Sequence, residues 1–264
     1  MENILETIVV AKKRRLLAQG KKYSPFEVAE LLARSQENAF LSSLCGPGPN
    51  IIAEIKLASP SRGRFIALEE VPYFLSSYEE GRAKAISVVT EEEHFQGSLE
   101  LLQMVVRTTH LPVLRKDFVL EETQIYETKE AGAHAILLIA RIVSKDRLKS
   151  FIELAEFLGL TPLVEVHDER DLEKALSASA RVIGINNRDL STFRVSLATT
   201  LRLLPLIPKD VTVVAESGIA NRDDVENLLE AGVYNFLVGG SLLTSENPTR
   251  KLLELQGERA IARC

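Results

Sequence analysis

The chain has 264 residues, 45% of them hydrophobic, with 32 Lys and Arg against 37 Asp and Glu and a net charge of −5. That length supplies a sizeable core and suits one large α/β domain or two small ones. The charge balance gives no reason to expect nucleic acid, no apolar run reaches the roughly 18 residues of a membrane span, and two cysteines make no disulfide framework.

The first 50 residues read as a helical preface. Ile4, Leu5, Ile8 and Val9 form one stripe of an amphipathic helix over residues 2–19, with Glu2 and Glu6 early and Lys12 to Arg15 late, as the helix dipole favours. The cluster Lys12-Lys13-Arg14-Arg15 reads as a solvated helix end. The start of the chain lacks a basic segment followed by an apolar block, so no secretory signal is expected. Gly20 stops the first helix. Ser24-Pro25-Phe26-Glu27 is a capping box with Pro at the first helical position, which opens a second helix to about residue 35. Residues 42–50 (SSLCGPGPN) read as a loop.

From Ile51 an apolar run, a loop and an amphipathic helix recur. The predicted strands are 51–56, 84–90, 112–116, 134–139, 162–166, 181–186, 211–215 and 234–239. The predicted helices lie near 68–80, 98–108, 121–131, 145–158, 168–178, 196–204, 221–231 and 247–256. The phrases EEGRA, EAGAH and EAGVY each place a glycine helix cap just ahead of a strand. Alternating strands and helices imply a parallel sheet. Eight such units in about 210 residues imply a closed (β/α)8 TIM barrel. The expectation is one α/β barrel domain over 1–264, with residues 1–50 as an N-terminal helical extension. An open doubly wound sheet is the alternative, but SPSRGRF after the first strand is a poor match to its glycine-rich fingerprint.

In such a barrel, chemistry sits at the C-terminal ends of the strands. The first strand, IIAEIK, places Ile52, Glu54 and Lys56 on one face and only apolar residues on the other. Ser59 follows in its loop. Later strands end in Lys116, Glu165, Asn186 and Glu216, with His94, Asp117, His167 and Arg188 close behind. Charges are costly to bury unless paired, so this many at one mouth point to an enzyme rather than a structural barrel. The four histidines show no ligand-like spacing, so no metal is expected. Ser217, Gly218, Gly239 and Gly240 stand at the last two strands. Barrels commonly bind phosphate there through backbone N–H groups.

The motifs IIAEIKLASPS, ISVVTEEEHFQGSLELL, PVLRKDF, PLVEVHDERDLEKAL, IGINNRDL, VVAESGI and NFLVGGSLL resemble those of the indole-3-glycerol-phosphate synthase family, in its order, over roughly residues 51–245. The sequence departs from the family's pattern at Arg62, often Lys, and at Gly240, often Ser or Glu. The resemblance implies ring closure, decarboxylation and dehydration of 1-(2-carboxyphenylamino)-1-deoxyribulose 5-phosphate, without cofactor or metal. It implies Lys116 as general acid, Glu165 as base and Lys56 as a second catalytic lysine that also serves the phosphate. Glu54 would hold the lysines, and Asn186 and Glu216 the sugar hydroxyls and the charge network. Arg188 and Ser59 would make polar contacts, and Phe95, Phe118, Leu137 and Leu190 would wall the anthranilate ring. His167, beside Glu165 in the sequence, reads as a supporting residue rather than a reacting one. The expected partner is a phosphorylated small molecule, with neither nucleic acid nor membrane. The chain would be a cytoplasmic monomer or weak homo-oligomer. Two alternatives stay open: another phosphosugar isomerase on this barrel, and a non-catalytic barrel that binds a phosphorylated metabolite.

Overall fold

The structure is a computed structural model that describes residues 4–33, 39–189 and 194–258. Eight parallel strands close into a barrel: β1 (Asn50–Ile55), β2 (Ala85–Val89), β3 (Val113–Lys116), β4 (Ala135–Ile139), β5 (Thr161–Val166), β6 (Val182–Asn186), β7 (Thr212–Glu216) and β8 (Asn235–Val238). β1 pairs with both β2 and β8, which closes the ring and removes the open-sheet alternative. Every strand falls within two residues of its predicted bounds.

The alternation read in β1 holds in space. Ile51, Ala53 and Ile55 pack outward into a core shared with the surrounding helices. Ile52 points inward and joins Leu114, Leu163 and Val214 in a separate core inside the barrel. Those four come from β1, β3, β5 and β7, the odd strands. Two residues further along the same strands stand Glu54, Lys116, Glu165 and Glu216. Each odd strand therefore carries an aliphatic residue below and an ionisable one above, as alternate strands feed a common layer in this architecture.

Helix caps show why the strands begin where they do. In EAGAH and EAGVY, Gly132 and Gly232 take left-handed φ values of 82° and 99°. EEGRA is out of register by one. There Arg82 takes the left-handed position at φ 59°, and Gly81 has φ −75°. Gly81 serves a different need, because a Cβ on it would lie 2.7 Å from Leu252 of the helix Pro248–Leu255.

The preface spans the barrel from end to end. α1 (Ile4–Gln19) crosses the C-terminal mouth, where Ile4, Leu5 and Ile8 line the cavity. α2 (Pro25–Ala33) starts at the predicted capping box, in which Ser24 N donates to Glu27 Oε2 at 2.8 Å. Just ahead of α2, Tyr23 and Lys21 both bond Glu130 on the outer helix Glu122–Glu130. α3 (Ala39–Ser43) occupies part of what reads as a loop in the sequence. Its Phe40 is fully buried and, with Leu44, closes the floor of the barrel. Asn50 fastens the turn that follows, donating from Nδ2 to Gly46 O and Asn235 Oδ1, both at 3.0 Å.

The basic cluster is not wholly solvated. Lys13 and Arg14 are exposed, but Lys12 is 3% exposed and pairs with Asp117 at 2.9 Å and Glu92 at 3.0 Å. Hydrophobic pattern places Ile8 on the buried face of α1. Nothing in that pattern shows that Lys12, one turn later, finds two carboxylates there.

Candidate active site

A cavity of about 530 Å³ opens at the C-terminal mouth, within the size range of small-molecule sites. Its lining includes Glu54, Lys56, Ser59, Phe95, Lys116, Phe118, Leu137, Glu165, Asn186, Arg188, Glu216, Ser217, Gly239 and Gly240. The site residues read from sequence thus converge, with two exceptions. Gly218 is not in the lining, and Leu190 lies outside the described residues. The sequence reading missed Ile4, Leu5, Ile8 and Phe65, which close the cavity from α1 and from the loop after β1.

Lys116 is the electrostatic centre. Its Nζ stands 3.5 Å from Glu216 Oε2 and 3.7 Å from Glu165 Oε2. Burial opposes its charge, but Glu216, Glu165 and Glu54 outweigh burial and raise its pKa above the usual lysine value. Lys56 Nζ donates to Glu54 Oε1 and lies 5.1 Å from the centre of the Phe65 ring. Burial would raise Glu54, yet Lys56, Lys116 and Arg188 hold it below the normal carboxylate range.

The two carboxylates beside Lys116 separate in character. Burial pushes Glu216 up to about 8, with the negative charges of Glu165 and Glu54 adding to the rise against Lys116. Glu165 moves the other way: Lys116 and His167 overcome burial and lower it. An ammonium within 4 Å of two carboxyl groups, one pushed down and the other up, is the arrangement of an acid/base set, the outcome of environments that push like groups apart.

Two glycines, one within and one just after an even strand, make room for this layer. A Cβ on Gly184 of β6 would fall 2.0 Å from Glu216 Oε1, and one on Gly239, just after β8, 2.3 Å from Glu54 Oε1. A glycine inside a strand is the sequence signal of such an approach, and Gly184 was readable in IGIN on that ground. At Gly239, expected from the sequence as a phosphate contact, the structure adds a second need, space for Glu54. Ser217 and Gly218 turn the chain after β7 with φ of 64° and 86°, and a Cβ on Gly218 would lie 2.6 Å from Val195 Cγ1. Gly240 begins the short helix Gly240–Leu243 in open space, so a side chain there meets nothing within 4 Å.

The two asparagines of INNRDL divide their work. Asn186 faces the cavity, and its Oδ1 accepts from Arg188 N at 3.0 Å. Asn187 is a staple: it donates to Glu216 O and accepts from Thr200. The apolar wall comes from even strands and loops, with Leu137 at the floor and the rings of Phe95 and Phe118 6.3 Å apart. Glu91 holds Phe95 in place by accepting its N–H at 3.0 Å. Asp117, next to Lys116, turns away from the cavity centre to a buried network. It accepts from Arg115, Thr90 and Lys12 at 3.0, 2.7 and 3.0 Å. These partners, Lys12 first, overcome burial and hold it at about 2. Among the described residues, no group of three His, Cys, Asp or Glu could hold a metal ion.

A closed parallel barrel with charged side chains gathered at its C-terminal mouth is the architecture of a barrel enzyme. A family model described as indole-3-glycerol phosphate synthase matches residues 5–255. The chain belongs to that family. It is 43% identical to the indole-3-glycerol phosphate synthase of Desulfosudis oleivorans, over 97% of this chain and 99% of that one. It is 39% identical to that of Leuconostoc mesenteroides, over 97% and 100%. Among solved structures, 3-hexulose-6-phosphate synthase from Salmonella typhimurium superposes with a TM-score of 0.66 at 14% identity, covering 79% of this chain and 97% of that one. Thiamine phosphate pyrophosphorylase from Pyrococcus furiosus gives 0.58 at 18% identity, covering 78% and 93%. These two likenesses speak to the fold alone.

Proposed function

We propose that this chain is an indole-3-glycerol-phosphate synthase, a carboxy-lyase of tryptophan biosynthesis. It closes the indole ring of 1-(2-carboxyphenylamino)-1-deoxyribulose 5-phosphate and releases carbon dioxide and water. The observation that carries this reading is the Lys116 ammonium held between Glu165 and Glu216 in a cavity with apolar walls and Arg188 in its lining. As the ring carbon attacks the ketone, its oxygen gains charge, and Lys116 supplies the proton. Carbon dioxide leaves and the ring regains its π-system. Dehydration then needs a base for a carbon-bound proton and an acid for the departing hydroxyl. Glu165 is the base, and Lys56, held by Glu54, assists as the second acid.

Phe95, Phe118 and Leu137 receive the anthranilate ring, with Leu190 beside them, while Ser59 and Arg188 meet polar groups of the substrate. Asn186 and Glu216 hold the sugar hydroxyls. The phosphate is taken by Lys56 and by backbone N–H groups at Ser217, Gly218, Gly239 and Gly240. Among the described residues no helix is long and apolar enough to cross a membrane. We place the enzyme in the cytoplasm as a monomer or weak homo-oligomer, which sedimentation over a concentration series would check.

The test is indole fluorescence appearing as the synthetic substrate is consumed. Lys116→Met should lower the rate by roughly two or more orders of magnitude, the scale of general acid catalysis. Isomerisation of a phosphoribosyl amine without release of carbon dioxide would favour the isomerase alternative. Tight binding without turnover would favour the non-catalytic barrel.

A further inference from the structure

Glu165 is supported from behind. Just after β5 ends at Val166, the His167 ring lies with Nε2 3.2 Å from Glu165 Oε1. Nδ1 of the same ring lies 3.4 Å from Asp171 Oδ2. The ring is 5% exposed, so no bulk water competes for either nitrogen. Among the described residues neither ring nitrogen makes a hydrogen bond, so the imidazole sits as a close contact between two carboxylates, and whichever nitrogen carries its N–H has an acceptor nearby.

Asp171 is itself fixed. Its Oδ2 accepts from His167 N at 3.1 Å and from Arg141 Nε at 2.9 Å. Arg141, from the segment after β4, also donates to Asp168 Oδ2 at 2.8 Å. Asp168 caps the helix Glu169–Ser177, and its Oδ1 accepts from Asp171 N at 2.9 Å. The carboxylate beside the far end of the imidazole is therefore fixed by a helix start and by a neighbouring loop. On the cavity side, Lys116 of β3 approaches Glu165 Oε2 at 3.7 Å and also meets Glu216 of β7 at 3.5 Å.

We propose that His167 is a positioning residue for the reaction, holding Glu165 Oε1 so that Oε2 faces Lys116 and the cavity as the proton acceptor. Carboxylates that act as bases need a fixed orientation as well as a charge, and a buried imidazole held 3.2 Å behind the carboxylate supports both. Asp171 and Arg141 keep the imidazole in place and make no contact with the cavity. The inference rests on Glu165 being the base of the proposed reaction.

The pH dependence of kcat/KM separates positioning from mere support. A donor lost from behind Glu165 destabilises its carboxylate, so the acid limb of the profile should move to higher pH. Hydrogen bonds to charged groups set the scale at about one pH unit. His167→Phe should show that shift and a kcat at least about tenfold lower, with KM changed little. His167→Asn is polar but too short to reach Glu165 and should behave the same way, which covers a Phe variant that fails to fold. His167→Gln keeps a donor within reach and should restore the limb toward its original position. If the limb stays put in the folded Phe or Asn variant, the brace is overturned and the role of Glu165 stands. A limb that moves as far in the Gln variant overturns it equally. Glu165→Gln is the separate control: wild-type rate and limb in that variant would overturn the underlying assignment instead.

Discussion

Glu165 and Glu216 face the same ammonium at similar distances, 3.7 and 3.5 Å, yet only one of them is poised to accept a proton at neutral pH. Glu165 has His167 at its second oxygen. Among the described residues Glu216 has no such neighbour beyond Lys116, and burial, with the negative charges of Glu165 and Glu54, outweighs that ammonium and lifts it to about 8. A neutral carboxyl is well imitated by an amide; an ionised base is not. Glu165→Gln should therefore lose roughly two or more orders of magnitude in kcat at pH 7, while Glu216→Gln loses about tenfold or less. The stability of the two variants should also diverge with pH. A folded pKa of about 8 against an ordinary 4.5 means the folded state keeps a proton that the unfolded chain has lost. Wild-type stability from this group is present below about 4.5 and declines as pH rises toward 8. Glu216→Gln removes that decline, so the variant should gain on wild type between those values. Urea unfolding at pH 5, 6.5 and 8 would show it. A constant difference across that range would mean Glu216 is ionised in the folded protein throughout.

At the scale of elements, α1 shows where sequence pattern stops. The stripe Ile4, Leu5, Ile8 announces an amphipathic helix, and the helix is there over Ile4–Gln19. Period and dipole say which face is buried, but not against what. The face meets the cavity mouth, and Lys12 reaches Asp117, 105 residues away. A long-range ion pair leaves no local trace, which is why the basic cluster reads as solvated. The strands were legible for the opposite reason: each is a short apolar run bounded by a capped helix and a loop, signals that lie within a few residues. Removing one partner of a buried pair leaves the other charge uncompensated, which costs about 3–5 kcal/mol in full. Asp117 keeps Arg115 and Thr90, so Lys12→Met should cost about half of that. The loss should fall on α1 first, seen as faster limited proteolysis before residue 20 with the barrel intact. The cavity loses its apolar roof at the same time. KM should rise about tenfold, the equivalent of roughly 1.4 kcal/mol of apolar cover. Intact α1 with an unchanged KM would show that the pair at Lys12 does not hold the helix down.

At the scale of the whole molecule, the barrel sorts its strands by parity. Odd strands supply Glu54, Lys116, Glu165 and Glu216; even strands and the loops after them supply Val89, Leu137, Asn186 and Gly239 around them. That sorting was legible in part, because strand ends and alternation place the charged residues on inward positions. The complement was less legible, since the need for glycine opposite a carboxylate depends on two strands whose residues are far apart in sequence. Gly184 of β6 and Glu216 of β7 make the clearest case. Gly184 sits in a regular strand where its φ is open to any residue, so space alone forbids a side chain. The atom in the way is Glu216 Oε1, the far end of a side chain able to swing aside; Leu163 Cδ1 at 3.4 Å tolerates a methyl. Gly184→Ala should therefore leave the barrel folded, at a cost of about 1–3 kcal/mol for overpacking. It should displace Glu216 from Lys116 and lower kcat by up to about a hundredfold, the scale for misplacing a catalytic group by an ångström. The cost should vanish once the obstructing carboxylate is gone. In a Glu216→Ala background, Gly184→Ala fills vacated space and restricts the unfolded chain, so it should be neutral or stabilising by up to about 1 kcal/mol. The sign change between the two backgrounds is a coupling energy that thermal unfolding of the four proteins measures directly. Equal destabilisation in both backgrounds would mean that some atom other than the Glu216 carboxylate keeps position 184 a glycine.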